Sequence, residues 1–145
     1  MSAFISYSDL SRVISPKGYH SPTESGLSEV PVWLGDTDKG TGSPVPNQIA
    51  DKLRGRTFAN FDRFREAFWE EVSKDPDLSK QFKNQNQSNI RKGKSPFTRD
   101  VDSVGGRERY EIHHIKPINE DGDVYNVDNM GIVTPKRHID IHRGG

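Results

Sequence analysis

The chain contains no cysteine, which excludes disulfides, thiolate zinc sites and cysteine nucleophiles; any metal must be held by histidine, carboxylate or carbonyl oxygen. Long hydrophobic runs are also missing. No apolar stretch approaches the roughly 20 residues that cross a bilayer, and Ala3-Phe4-Ile5 is too short for the core of a secretory signal. Net charge is absent as well, because 21 basic residues balance 21 acidic ones; composition therefore gives no global electrostatic argument for nucleic acid. With 30% hydrophobic residues in a chain of 145, one domain with a modest core is expected, of a kind that can lean on a bound metal.

What is present is unevenly placed. From Lys83 to Lys116 eight Lys/Arg stand against four Asp/Glu, and Arg91-Lys92-Gly93-Lys94 reads equally as a phosphate-tracking patch or a solvated polar loop. Residues 1–30 carry Ser15-Pro16-Lys17-Gly18 and Ser21-Pro22 without sustained periodicity and read as a flexible linker or arm. The apolar run Val32–Leu34, with Trp33, is suited to anchor that arm. Gly35 to Pro46 then returns to turn-rich sequence, and the compact domain, taken as 31–145, is expected to start near here.

Periodicity supplies the elements. Ile49, Ala50 and Leu53 recur at helical spacing and Gly55 closes the run. Asn60 is placed to cap a second helix, in which Phe61, Phe64, Phe68 and Val72 form one stripe opposite Arg63, Glu66, Glu70 and Glu71; the stripe reads as core. Asp75-Pro76-Asp77 ends it and starts a short helix through Leu78 and Phe82, and from the polar run Asn84–Asn89 to Asp102 the chain reads as loop with short helical pieces. Arg109–Ile115 alternates Tyr110, Ile112 and His114 with period two and reads as a strand, with Gly131–Val133 its antiparallel partner. A long polar connection containing Asp121-Gly122-Asp123 joins them. Thr134 then caps, and Pro135 opens, a final helix.

That last third holds His113-His114, Asn129, His138 and His142. His138 and His142 stand one turn apart on one helix face, the spacing with which two imidazoles hold one ion. The pair alone is only suggestive. A zinc-protease reading fails, because the first histidine of His138-Ile139-Asp140-Ile141-His142 is followed by isoleucine where that chemistry needs glutamate. Specificity comes from the histidine pair on a preceding strand and the asparagine ahead of the next. Strict alternation sends His113 and His114 to opposite faces, so both serve one phosphate only if the strand ends or twists there, and Pro117 makes an ending plausible.

The segment Gly105-Gly106-Arg107-Glu108-Arg109-Tyr110-Glu111-Ile112-His113-His114, with Lys116-Pro117-Ile118 and Thr134-Pro135-Lys136-Arg137-His138-Ile139-Asp140-Ile141-His142-Arg143, resembles the HNH nuclease domain of the DNase colicins and S-type pyocins. The likeness extends through Ile49–Arg54, Phe68–Leu78 and Lys92–Phe97, covering roughly Trp33 to Arg143. It implies an α+β fold: a mostly helical small domain carrying a C-terminal ββα-metal (His-Me finger) motif.

In that motif His113, His138 and His142 would bind one divalent ion, His114 would act as general base, and Asn129 would pin the hairpin loop. Arg107 would contact phosphate and Glu111 would orient it or bond a ligand, the plainer reading being a surface ion pair. Imidazole ligation suits zinc, nickel or cobalt; magnesium, more available and at ease with phosphate oxygens, is the alternative for activity. An arginine that the family uses near the start of the domain has no clear counterpart, since Pro16-Lys17 stands there; Lys17 is an imperfect substitute.

The resemblance further implies a non-specific DNA endonuclease, the cytotoxic domain of a bacteriocin, leaving 5′-phosphate and 3′-hydroxyl ends. It would be released by the producing bacterium and act in the target-cell cytoplasm. Receptor-binding and translocation segments are not visible in the 145 residues, as expected of a domain or cargo unit. A small acidic immunity protein would bind beside the active site, on an exosite comprising Lys83, Asn86, Ser88, Asn89, Lys92, Ser95 and Phe97, with Phe97 either an apolar anchor or part of the local core. Two rivals stand: a restriction or homing nuclease of the same fold, and a non-catalytic nucleic-acid-binding module held by a structural zinc.

Overall fold

The second helix organises the molecule. In the computed structural model, which describes residues 5–6, 32–117 and 124–143, the chain runs β1 (Ile5–Ser6), α1 (Asn47–Leu53), β2 (Thr57–Phe58), α2 (Phe61–Lys74), α3 (Pro76–Ser79), α4 (Asn84–Arg91), β3 (Glu111–His114), β4 (Met130–Val133) and α5 (Pro135–His142). The Asn60 side chain accepts from the Arg63 amide at 3.0 Å, the expected cap. Behind it α2 buries Phe64, Ala67, Phe68, Trp69 and Val72, each large side chain contributing about 1.5–3 kcal/mol, and α1, α3 and α4 pack around it. Phe61, first in the stripe, is the exception: it is only partly buried against this core. Trp33 is buried where the compact part begins, its indole donating to the Pro44 carbonyl at 2.7 Å and its ring meeting Phe68 and Trp69.

Three expectations need adjustment. The short helix after Pro76 stops at Ser79, before Phe82. The stretch expected as loop with short helical pieces holds one regular helix, α4, over Asn84–Arg91; it buries only Ile90, so it leaves no apolar stripe to read, and the Gln87 amide ties it to the Ser79 and Phe82 carbonyls at 3.1 and 2.9 Å. The strand expected from Arg109 begins at Glu111. Backbone groups ahead of it are already used: the Glu108 carbonyl accepts from Thr98 N at 2.9 Å and Tyr110 N donates to Pro96 O at 3.0 Å.

From Glu111 the hairpin runs in antiparallel register, Glu111 opposite Val133 and His114 opposite Met130. The segment 37–43 buttresses it. Ser43 and Ile132 exchange both backbone hydrogen bonds, at 2.9 and 2.8 Å, the Thr134 amide donates to Thr37 O at 3.0 Å, and Arg137 Nε donates to Gly40 O at 2.9 Å. Gly42 makes this approach possible, with φ +93° and the Ile132 carbonyl only 2.3 Å from where a Cβ would stand. In the arm, Ile5–Ser6 pairs antiparallel with Thr57–Phe58. Lys17 and Asp121-Gly122-Asp123 lie outside the described residues. No helix among the described residues is long and apolar enough to cross a membrane.

Candidate metal centre

Strand alternation and a capped helix bring three histidines together. β3 presents His113 to α5, whose start is set by Thr134 accepting from the Arg137 amide at 3.1 Å with Pro135 next. His138 and His142 then face His113, and one ring nitrogen from each lies within 4.8 Å of the others. Tetrahedral bonds of about 2.1 Å to one ion would place nitrogens about 3.4 Å apart, so a small inward movement suffices. Three uncharged imidazole donors, of intermediate softness and without thiolate, suit a divalent transition-metal ion that keeps open positions.

Protonation favours ligation. The Glu111 carboxyl is pushed up by burial, but hydrogen bonds from His138 and Arg107, with their charges, outweigh this and hold it at about 2. It is therefore a carboxylate, which only accepts, and its 2.8 Å bond to His138 Nδ1 puts a hydrogen on that nitrogen, so that the neutral form of the ring, the one able to bind a metal, carries its lone pair on Nε2. Arg107 closes the other side of the same carboxylate through Nε at 2.9 Å and Nη2 at 2.6 Å. The pair is thus joined to a candidate ligand and is more than a surface ion pair. Burial, then the neighbouring His138 and His142, lowers His113 from 6.5 to about 4, so it stays neutral near pH 7.

β3 ends at His114, the expected ending, and His114 meets Phe61 of α2 while His113 meets His138 and His142 of α5. Its Nε2 lies 3.0 Å from the Val124 carbonyl. A carbonyl also only accepts, so the hydrogen sits on Nε2 and Nδ1 keeps a free lone pair. Burial lowers the His114 pKa, partly offset by that hydrogen bond. Asn129 clamps the chain just beyond: its Oδ1 accepts from Lys116 N at 2.7 Å, its Nδ2 donates to Lys116 O at 3.1 Å, and its carbonyl accepts from Ile115 N at 2.8 Å.

A groove of about 930 Å³ leads away from His138 and Glu111, walled by Asp62 and Arg65 of α2, Lys94 and Arg107. Sequence reasoning missed the Val124 carbonyl, because backbone acceptors carry no residue signature. It also missed the part of α2 that reaches the site, since its positions read as the ends of a core helix.

The expected exosite residues divide. Asn86 holds Phe97 by both backbone groups, Oδ1 accepting from its amide at 2.8 Å and Nδ2 donating to its carbonyl at 3.4 Å, and Asn89 bonds Asn86 at 3.1 Å. Lys83, Asn86 and Phe97 line a pocket of about 210 Å³, and Arg109 lies 4.2 Å over the Phe97 ring. Ser88 lies on α4 and Lys92 follows it, exposed. Ser95 is different: it is buried and its hydroxyl donates to Tyr110 O at 2.6 Å, so that face does not offer it as a free donor.

Residues 18–143 match the family described as the DNase domain of colicin and pyocin S2. The chain is 65% identical over 112 residues to colicin-E2 of Escherichia coli, covering 77% of this chain and 19% of that protein. It is 59% identical over 112 residues to colicin-E8 of Escherichia coli, covering 77% of this chain and 55% of that protein. A solved structure described as the mutant nuclease domain of pyocin S8 with its cognate immunity protein superposes with a TM-score of 0.75 at 41% identity, over 88% of this chain and 96% of that one.

Proposed function

The chain belongs to the colicin and pyocin DNase domain family, and from that premise we propose that it is a non-specific, metal-dependent DNA endonuclease of HNH type, the cytotoxic domain of a bacteriocin. The observation that carries the reading is the convergence of His113, His138 and His142, one ring nitrogen of each within 4.8 Å of the others, with the adjacent His114 at the strand end held against a backbone carbonyl. The centre would hold zinc, nickel or cobalt through His113, His138 and His142, with magnesium an alternative for activity. A divalent ion bound there would stabilise charge developing on the phosphoryl and leaving oxygens.

The remaining steps belong to side chains. His114 Nδ1 takes a proton from water, which attacks phosphorus in line; the P–O3′ bond breaks and the departing O3′ takes a proton from solvent water, leaving a 3′-hydroxyl and a 5′-phosphate. Glu111 fixes the His138 ring and Arg107 at once, so that the guanidinium edge not used by the carboxylate can meet a phosphate oxygen. Asn129 holds the end of the strand that carries His114.

A small acidic immunity protein would bind the face of Lys83, Asn86, Ser88, Asn89, Lys92 and Phe97, beside the groove; the mutant nuclease domain of pyocin S8 was solved with its cognate immunity protein. The domain would span 31–145, with 1–30 as a linker. It would be released by the producing cell and act in the target cytoplasm.

Plasmid nicking with chelator, then with magnesium, zinc or nickel restored separately, tests the reading on wild type and His114→Ala. Metal-dependent nicking that is lost in His114→Ala is expected. A His114→Ala protein that binds metal and cuts at the original rate overturns it, and a protein that folds with metal but never cuts identifies a structural site.

A further inference from the structure

The hydrogen bond from Nε2 to the Val124 carbonyl holds His114 at one point, and an imidazole held at one point can still swing about that bond. Phe61 closes off the swing. Its ring centroid lies 5.0 Å from that of His114 at an interplanar angle of 57°. The same ring stacks on Phe64 at 5.2 Å and meets Tyr125 at 6.1 Å. Phe64 and Tyr125 are fully buried, so the ring that touches His114 is backed by core. Tyr125 follows Val124 directly, so Phe61 braces both partners of the hydrogen bond: the imidazole by contact and the acceptor through its neighbour. Phe61 is also the first residue of α2, behind the Asn60 cap, and carries the Arg65 guanidinium 5.3 Å from its ring.

We infer that Phe61 is a positioning residue for His114, fixing the imidazole plane so that Nδ1 is aimed at the attacking water. This rests on His114 being the general base. A flat ring is required because an aliphatic side chain of similar bulk fills the space without presenting a face to the imidazole. Arg65 offers a competing explanation, since removing the ring also removes the guanidinium's seat on the groove wall; that effect would fall on DNA binding, and the effect through His114 on turnover.

The experiment measures DNA cleavage by the metal-loaded full chain for Phe61→Leu, Phe61→Tyr, His114→Ala and the Phe61→Leu/His114→Ala double variant, with metal affinity determined for each. Displacing a reacting group by about 1 Å can lower a rate about 100-fold, so Phe61→Leu is expected to lower kcat about 10- to 100-fold, with KM and metal affinity within about twofold of wild type. Phe61→Tyr should restore most of the rate, and Phe61→Leu should have no further effect once His114 is alanine.

A second readout needs no turnover. In the metal-free protein, the ring-proton resonances of His114 should shift and broaden in Phe61→Leu and stay in place in Phe61→Tyr. If Phe61→Leu does not fold, Phe61→Met takes its place. An unchanged kcat, a rise in KM alone, or an equal loss in the His114→Ala background overturns the inference. Full activity in His114→Ala overturns the base assignment itself, a distinct result.

Discussion

Replacing Glu111 with glutamine changes almost no volume and removes one charge at the point where the candidate metal centre meets the groove. In the native chain Oε1 accepts from His138 Nδ1 at 2.8 Å and from Arg107 Nη2 at 2.6 Å, while Oε2 accepts from Arg107 Nε at 2.9 Å. An amide has one oxygen and an NH2 group, so one of these donors must face another donor. With the oxygen in the place of Oε1, His138 and Arg107 Nη2 keep only an uncharged acceptor and Arg107 loses its fork; with it in the place of Oε2, the His138 ring is released and its tautomer is no longer set. A hydrogen bond to a charged group is worth about 1.5–3 kcal/mol, and loss of a group orienting a ligand histidine weakens metal binding about 10- to 100-fold. Calorimetric titration of metal-free Glu111→Gln with zinc and with nickel should therefore show weaker binding in that range. The neighbouring, exposed Glu108, changed to glutamine in the same way, should bind as wild type. Zinc affinity in Glu111→Gln within about twofold of wild type would refute the reasoning that this carboxylate sets the His138 lone pair.

Two further outcomes are expected. Gly42→Ala places a Cβ 2.3 Å from Ile132 O and 2.6 Å from Val133 Cγ1 at φ +93°; strain and overpacking together should destabilise by about 2–6 kcal/mol, read as a lower urea midpoint, and an unchanged midpoint refutes the close approach. The metal-free protein should lose stability as pH falls. Folded His113 is held at about 4 against 6.5, so below pH 6.5 the unfolded chain takes up a proton that the folded chain refuses until about pH 4, a loss on the order of 3 kcal/mol. Glu111, lowered from 4.5 to about 2, continues the decline below pH 4.5; denaturation curves that do not change between pH 6.5 and pH 4 would contradict the assignment.

The one-turn spacing of His138 and His142, the Asn60 and Thr134 caps and the apolar stripe of α2 were legible because each is local: a helix repeats every few residues, and its cap lies beside it in the chain. Local order also explains the errors. The bounds of α4 were not legible because side-chain amides and a single isoleucine hold it, and β3 starts late because residues 96–98 claim the backbone groups ahead of Glu111. Which histidine faces which wall was decided only in three dimensions. The alternation that separates His113 from His114 is a property of any strand, but α5 on one side and Phe61 with the Val124 carbonyl on the other are what make one a candidate ligand and the other a candidate base. Sequence by itself determined the set of chemical groups and their order, because side-chain identity is covalent. Tertiary structure decided tautomer, orientation and the reach of α2 into the site, because these depend on acceptors and packing surfaces contributed by residues far away in the chain.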